Sequence, residues 1–593
     1  MTSGEIADKR LSRRQFVGSA AAGAAALGAA AGATALVPKA GAVPTRGGGV
    51  AGSEYEVAVR GQPVPVPSSW SQTADVVVVG YGGSGAVSAI TAFDAGASVI
   101  VLEKTPSLAS LGVSPVKAPN QSFTISGGGG NTHMSGGNIA VPTNAIDGAN
   151  FIYAASWGRT PLDVCQAWAS VAVNIEAWLT AMGIPFTTNA ASAATGGFAN
   201  LPGAASYHYV TAVGDGPALF AGYDTNVQSR NIPVLFNTQA TDLIQNPMTG
   251  EILGVQALAN NSEIVNVRAN RAVILTCGGY EYDETMKANY LPVYPSNFIG
   301  WPANTGDGIR MAQKVGAGLW HMNTVAGSYA AWIPEIGPIA FSVSAKTNGW
   351  IYVDTSGNRF WNENDASGDD WTLALANFNP DAPQYARIPT FLVFDEVARK
   401  AGAIGPTTTS YSTIPTQLGG TTYVWSSDNS AEIAKGWIIE GATSPSDLAN
   451  AINSATIAST PAGTPRSLAS QMVFNIKPAT LTATINAWNA ECAAGTGDTL
   501  FGRAASAMAP LQTPPFYAIP LWPSGPNTLG GPIHNAQSQV CDPDNKPIPR
   551  LYAAGECGSN WGFLYPGRGN NSENIAFGQI SGHNAATEVP WTS

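Results

Sequence analysis

Residues 74–104, ADVVVVGYGGSGAVSAITAFDAGASVIVLEK, constrain this chain more than any other stretch. Four consecutive valines, 76–79, read as a strand buried on both faces, the pattern of a parallel sheet. They run into Gly80-Tyr81-Gly82-Gly83-Ser84-Gly85, a G-x-G-x-x-G. The first glycine makes a tight turn. The second lets backbone approach a pyrophosphate, and the third lets the next helix pack close to the strand. Ala86, Ile90 and Phe93 follow at helical spacing, and Gly96 ends that helix. A second apolar strand, 99–102, ends in Glu103, an acid placed to accept hydrogen bonds from a ribose diol. The helix N-terminus offers unpaired N–H groups and the positive end of its dipole to phosphates. A lone G-x-G-x-x-G is weak; strand, glycines, helix, strand and acid in this order read as a dinucleotide site.

A chain of 593 residues accommodates about two or three domains and a large core. Charged residues make up only 11% while 45% are apolar, with 66 glycines and 41 prolines, which describes a loop-rich globular enzyme rather than a disordered chain. The net charge is −11 with no basic block beyond the N-terminus, so no nucleic-acid partner is expected. The five cysteines are scattered without a C-x-x-C, and the five histidines stand apart from one another. No metal, iron–sulfur or c-type haem site is expected from them.

Residues 12–17, SRRQFV, precede an Ala/Gly run to Val37 and an A-x-A at 40–42. This resembles a twin-arginine signal and implies export across a bacterial cytoplasmic membrane, to the periplasm or cell exterior, after cleavage and with cofactor already bound. Residues 1–42 are therefore set aside from the fold, and 43–71 read as a surface leader. No other stretch is apolar for long enough to cross a bilayer.

Further along, SGGGGNTHMSGG at 126–137 brings backbone against something flat or charged. Apolar residues at helical spacing predict one helix over 161–182. Strands are expected at 234–236, 240–244 and 252–257, and a further strand of the first sheet at 271–276. From about residue 290 tryptophans become frequent and strand-like pieces such as 350–353 alternate with polar loops, the texture of a second domain. Strand-and-glycine language returns at 551–556, before a final helix around 574–587. The expected fold class is α/β: a first, nucleotide-binding domain split in sequence (72–288 and 526–593), with a second domain inserted at 289–525.

Four separated motifs now point the same way: the Gly80 loop with Glu103, GGNTHMSGG at 129–137, ANTGDGIRMA at 303–312, and LYAAGE at 551–556 with YPGRGNNSENIAFGQISG at 565–582. Together they resemble the flavoprotein superfamily of fumarate reductase, urocanate reductase and 3-ketosteroid Δ1-dehydrogenase. The resemblance implies FAD, held by a Rossmann-like FAD-binding domain that is interrupted by a mobile α+β substrate-capping domain. It implies that Gly80, Gly82, Gly83, Ser84 and Gly85 cradle the pyrophosphate, with Glu103 and Lys104 at the adenosine end and the Ala240 backbone at the adenine. Asn131, Thr132, Ser135, Gly136 and Gly137 would line the pyrophosphate and isoalloxazine. Asp307 and Glu556 would bind the ribityl or phosphate region, and Asn570 and Asn571 the pyrimidine edge. Related enzymes sometimes tether FAD through a nearby histidine. The spacing from His133 to Gly136 differs from that pattern, so non-covalent FAD is expected.

Departures from the family narrow the substrate. The proton-delivering arginine of fumarate reductases, five residues after the asparagine of their RF-x-NE motif, falls at Ser367 beyond Arg359-Phe360-Trp361-Asn362-Glu363. Their substrate histidine is here Asn527, and their second, carboxylate-clamping arginine falls at or beside Tyr565. Loss of a bidentate clamp disfavours a dicarboxylate. The ketosteroid dehydrogenases fit better at the C-terminus. There, Tyr565 in Y-x-G-x-G and the backbone N–H of Gly569 would polarise a ketone. The catalytic-base tyrosine of that family is replaced by Ser367, which leaves Tyr207 or His208 as stand-ins. Arg568 is new to both families and either binds an anionic group or pairs with Glu573.

The expected activity is hydrogen transfer across a C–C bond next to a carbonyl or similar group, by hydride exchange at flavin N5. The substrate is expected to be small and apolar or aromatic, and the electron donor or acceptor external, a quinone or a cytochrome. The alternatives are a fumarate reductase-like enzyme for an unsaturated carboxylic acid, and an electron-transfer flavoprotein subunit.

Overall fold

A computed structural model describes residues 64–112, 125–189, 198–364, 374–381, 383–407, 418, 420, 421, 423–457 and 474–591. The expected export signal (1–42), most of the expected leader, Ser367 and Trp371 lie outside the described residues.

Strand β1 (Gln72–Val79) carries the valine run, and its last four residues are all buried. It turns through Gly80 into helix α1 (Gly83–Asp94) and pairs in parallel with β2 (Val99–Leu102), Val79 opposite Leu102. After helix α2 (Gly130–Met134) comes β3 (Tyr207–Ala212), the middle of a small antiparallel sheet with Asn138–Pro142 and Phe186–Asn189. The large sheet then resumes. Strand β4 (Val234–Leu235) joins β2 in parallel, and β5 (Thr238–Gln245), β6 (Ile252–Ala259) and β7 (Glu263–Leu275) run as an antiparallel series. The far end of β7 lies parallel to β1, Leu275 opposite Val79.

The expected single helix over 161–182 is two, Leu162–Ala172 and Ile175–Ala181. Asn174 leaves helical geometry at φ −107°, ψ 6°, and its side chain turns back on Ser170 O, the local competition with helix that asparagine affords.

Beyond helix α3 (Asp307–Lys314) the chain builds a second sheet. Its strands β8 (Val325–Ala330), β9 (Trp350–Val353), β10 (Thr390–Asp395), β11 (Ile439–Gly441) and β12 (Phe516–Thr528) pair antiparallel throughout, with β12 between β8 and β10. One face packs Ile351, Phe391, Leu448, Ile485 and Trp488 into a core of its own. The Arg359–Glu363 motif is part of this structure: the Arg359 guanidinium grips Glu363 and Asp498 at 2.7 Å and lies over the Trp488 ring.

The chain then returns to the large sheet through β13 (Gln539–Cys541) and β14 (Pro547–Ala553), the latter parallel to β7 with Ala553 opposite Leu275. The last helix, α4 (Gly569–Thr587), lies against α1. A Cβ on Gly578 would meet Val87 at 2.9 Å, one on Gly582 would meet Ser88 O at 2.5 Å, and Ser581 Oγ bonds Ser88 Oγ at 3.0 Å. Sequence ends nearly 500 positions apart in the chain thus meet face to face.

Candidate active site

The register fixes where a ligand goes. Val79, Leu102, Leu275 and Ala553 align across four parallel strands, so Gly80, Glu103, Thr276 and Ala554 leave the sheet along one line. Ligands of open α/β sheets bind in that crevice, beyond the carboxyl ends of the strands. A cavity of about 560 Å³ opens there, within the range of cofactor sites.

Its glycine floor is dictated by close approach. Gly80 has φ +104°, and a Cβ there would stand 2.5 Å from Thr276 O. A Cβ on Gly85 would stand 2.0 Å from the Gly80 carbonyl, so the helix can enter tight against the strand only as glycine. Gly82 is different: a Cβ would meet only Gly129 O, at 3.8 Å, and the open side faces the cavity. The first turn of α1 has no acidic residue, so its positive dipole end stays uncompensated, as a pyrophosphate requires.

At one end of the cavity Glu103 accepts from Tyr81 N at 2.8 Å and from Thr105 N and Oγ1 at 2.8 Å, which holds the buried carboxylate at the strand tip. Beside it Lys104 Nζ bonds Asp307 Oδ2 at 2.7 Å and Thr305 Oγ1 at 2.8 Å, with Ala240 and Gln239 on the neighbouring wall. In the middle, Asn131 takes Trp301 N on its Oδ1 at 2.6 Å and donates through Nδ2 to Glu281 and Glu556. Thr132, Ser135, Gly136 and Asn571 continue the wall, with Asn571 Nδ2 bonded to Ser135 Oγ at 3.1 Å. Gly137 is not among the lining residues. Its α-carbon is pressed on the Asp215 backbone, where a Cβ would come within 2.6 Å. Gly85 and Gly569 likewise serve packing, the latter with its α-carbon against the Trp561 indole.

The far end brings together Ile299, Trp301, Pro526, Asn527, Tyr565 and Asn570. Tyr565 is buried, its hydroxyl accepting from Asn570 N at 3.0 Å and its ring edge-on to Trp561. Asn527, delivered by the end of β12, accepts from Asn570 Nδ2 at 2.5 Å. Of the tryptophans expected to mark the cap, Trp301 lines this cavity, whereas Trp320, Trp332, Trp350 and Trp361 do not.

Two expectations are corrected here. Tyr207 and His208 do not line the cavity. Tyr207 reaches the carbonyl of Gly567 at 2.5 Å and so props up the loop that carries Tyr565, while His208, on the other face of β3, approaches Glu176 at 3.4 Å. Arg568 does not pair with Glu573. That glutamate is fully buried on Ser559 Oγ and Asn560 N, both at 2.6 Å, and burial pushes its carboxyl up to about 8. Arg568 lines the cavity with its guanidinium 4.0 Å over the Tyr209 ring, and among the described residues no carboxylate pairs with it. His133 is buried, edge-on to Trp301 and held down at about 4 by desolvation; it is not a lining residue. Sequence reasoning missed Glu281, which follows the Gly278-Gly279 doublet after β7, and Asn304, which bonds it.

The shape and donor set fit FAD: a glycine floor, an open helix N-terminus, an acid at the second strand tip and polar side chains along an extended wall. Known proteins agree. The chain is 27% identical to NADH:fumarate oxidoreductase of Klebsiella pneumoniae over 86% of its own length and 47% of that protein, so it spans about half of that relative. It is 26% identical to urocanate reductase of Eggerthella lenta, over 91% of this chain and 78% of that one. Against 3-oxosteroid 1-dehydrogenase of Mycobacterium tuberculosis it is 28% identical over 64% of each. Among solved structures, 3-ketosteroid Δ1-dehydrogenase from Sterolibacterium denitrificans superposes with a TM-score of 0.68 at 21% identity, over 87% of this chain and all of that one. The open form of a flavocytochrome c3 fumarate reductase gives 0.57 at 20%, over 87% and 78%. Both share the fold, an α/β FAD domain with a capping domain. The described geometry and a match to the FAD binding domain family over residues 75–572 lead to one conclusion: this chain belongs to that family.

Proposed function

We propose that the protein is an FAD-dependent oxidoreductase that adds or removes hydrogen across a C–C bond next to a carbonyl or similar group. Bound FAD supplies the hydride acceptor or donor. The chain supplies the rest. Gly82, Gly83, Ser84 and the α1 N-terminus hold the pyrophosphate, and Glu103 the adenosine ribose. Tyr565, in the apolar end of the same cavity, orients a substrate carbonyl and stabilises charge developing on its oxygen. The observation that carries this reading is the placement of Tyr565 in one continuous cavity with the nucleotide motif.

The substrate end is lined by Ile299, Trp301, Met134, Pro526 and Pro566, which favours an apolar or aromatic molecule over a dicarboxylate. Of the two lining cations, Lys104 is engaged with Asp307. Arg568 alone therefore stands ready for an anionic group, which is short of a two-arginine clamp. FAD is held without a covalent bond, and the electron partner is a quinone or a cytochrome. A panel of 3-ketosteroids, conjugated enones and unsaturated dicarboxylic acids, added anaerobically to oxidised and to reduced protein, tests the substrate class. A flavin absorbance change with the ketones but not the diacids is expected; the reverse would establish the fumarate reductase-like alternative.

Export through the twin-arginine pathway belongs to the same proposal. Replacing Arg13 and Arg14 with Lys is expected to retain flavin-loaded protein in the cytoplasm, and unchanged export of that variant would show the pair to be incidental.

A further inference from the structure

Asn131 joins two carboxylates that have no cation between them. Its Nδ2 donates to Glu281 Oε1 at 2.8 Å and to Glu556 Oε2 at 2.7 Å, and Asn304 Nδ2 adds a bond to Glu281 Oε1 at 3.2 Å. The remaining oxygens, Glu281 Oε2 and Glu556 Oε1, are buried without a hydrogen-bond donor and crowd one spot. A Cβ on Gly279 would stand 2.9 Å from the first and 2.3 Å from the second. Glu281 is wholly buried, and Glu556 lines the cofactor cavity. Among the described residues neither carboxylate takes part in an ion pair.

Two carboxylates in one dry site do not both ionise at neutral pH, because the second charge is opposed by burial and by the first. We propose that Glu281 and Glu556 hold one proton between them, and that this shared proton is part of the FAD site, with Glu281 acting as a positioning residue through Glu556. With the proton in place the pair carries a single negative charge, the O–H of one carboxyl bonding the other. Without it, two adjacent carboxylates face a polyanionic cofactor. Desolvation raises both carboxyls, Glu556 further because Glu281 lies beside it.

The surrounding groups leave this charge unbalanced. The Tyr280 phenol, raised by burial, is a neutral neighbour. Lys287 is bound to Glu284, Lys104 to Asp307 and Arg310 to Asp283, each pair cancelling itself, while buried His133 on α2 is neutral. Among the described residues, Glu281 and Glu556 are two carboxylates brought together at this wall with no cation paired to either.

The test is the dissociation constant of FAD from reconstituted apoprotein, measured by flavin fluorescence between about pH 6 and about pH 9, for wild type, Glu281→Gln and Glu281→Asp. Wild type is expected to lose affinity by about tenfold or more as the shared proton leaves. Glu281→Gln, which cannot reach the doubly charged state, is expected to change by less than about twofold over that range. Glu281→Asp is expected to restore the dependence, and comparison within the series cancels ionisation of the flavin itself. A flat wild-type profile, or the same profile in Glu281→Gln as in wild type, would overturn the shared proton. The proposal rests on the FAD assignment: wild type that takes up no FAD at any pH would overturn that assignment and this proposal with it, an outcome distinct from either profile.

Discussion

The Tyr565 hydroxyl is fixed by the Asn570 N–H, and the ring by Trp561, so removing the oxygen leaves the packing in place. Tyr565→Phe is expected to keep its fold and its FAD. It should slow single-turnover flavin reduction or oxidation by substrate about 100–1,000-fold, the usual cost, about 2.7–4 kcal/mol, of losing one donor of an oxyanion site. A rate within about twofold of wild type would assign the residue to packing instead. Glu103→Ala has a different signature. It strips the acceptor from Tyr81 N, Thr105 N and Thr105 Oγ1, at about 1–3 kcal/mol for each donor left buried. Weakened FAD retention with a lower melting temperature is expected, and full occupancy after dialysis would contradict the ribose role. The cofactor residues were legible in the sequence because their chemistry is local: glycines where backbone must pass close, an acid where a strand ends. The substrate residues were less so. Tyr207 and His208 have suitable chemistry, but their direction is set by the alternation of β3 and by the partner Gly567, 360 positions away, neither of which composition reveals. Glu281 went unread because a lone acid after two glycines carries no signal until Glu556 is folded against it.

Gly85 shows how an element's position rests on one missing atom. A Cβ there would overlap the Gly80 carbonyl, at 2.0 Å, and α1 can relieve this only by moving away from β1. Gly85→Ala is expected to cost about 1–3 kcal/mol in urea unfolding and to lower FAD occupancy, since the helix N-terminus moves with it. Unchanged occupancy would contradict the coupling of packing to binding. In the second sheet the Arg359 cluster makes an opposite prediction. Arg359→Ala takes the close ion pair from Glu363, which keeps only Arg503 at 3.5 Å, and leaves Asp498 with backbone donors but no cation; it is expected to cost about 3–5 kcal/mol, with FAD affinity of the folded protein unchanged, because the cluster holds β9 and not the cavity wall. The strands at 234, 240, 252 and 271 and the last helix were readable from apolar runs and glycine punctuation. The break at Asn174 was not, because periodicity passes through it undisturbed while the side chain competes for the backbone.

At the scale of the whole molecule, burial has a cost that pH exposes. His133, His321 and His534 are buried and held down at about 4 by desolvation, against about 6.5 in an unfolded chain. Between those values the unfolded state binds the additional protons, so this contribution is complete above about pH 6.5 and is lost as pH falls toward 4, at about 1.4 kcal/mol per pH unit for each histidine. Glu573, raised to about 8, opposes it, since there the folded state binds the proton. The buried carboxyls raised by desolvation, the Glu281–Glu556 pair, Asp224 and Asp354, oppose it in the same way, so the histidines are read singly: their imidazole NMR signals are expected to stay at the neutral position down to about pH 5, and titration of all three near 6.5 would contradict buried neutral histidines. The fold itself sets two sheets around one cavity, with the nucleotide motif at one end and Tyr565 at the other. The central claim is that hydrogen passes between cofactor and a carbon–carbon bond within that cavity. Stopped-flow mixing of reduced, FAD-loaded protein with a conjugated enone in the absence of oxygen tests it most directly. The account predicts reoxidation of the flavin with formation of one saturated ketone per flavin. Flavin that stays reduced with every enone, ketosteroid and unsaturated acid offered, yet is promptly reoxidised by a quinone, would contradict it.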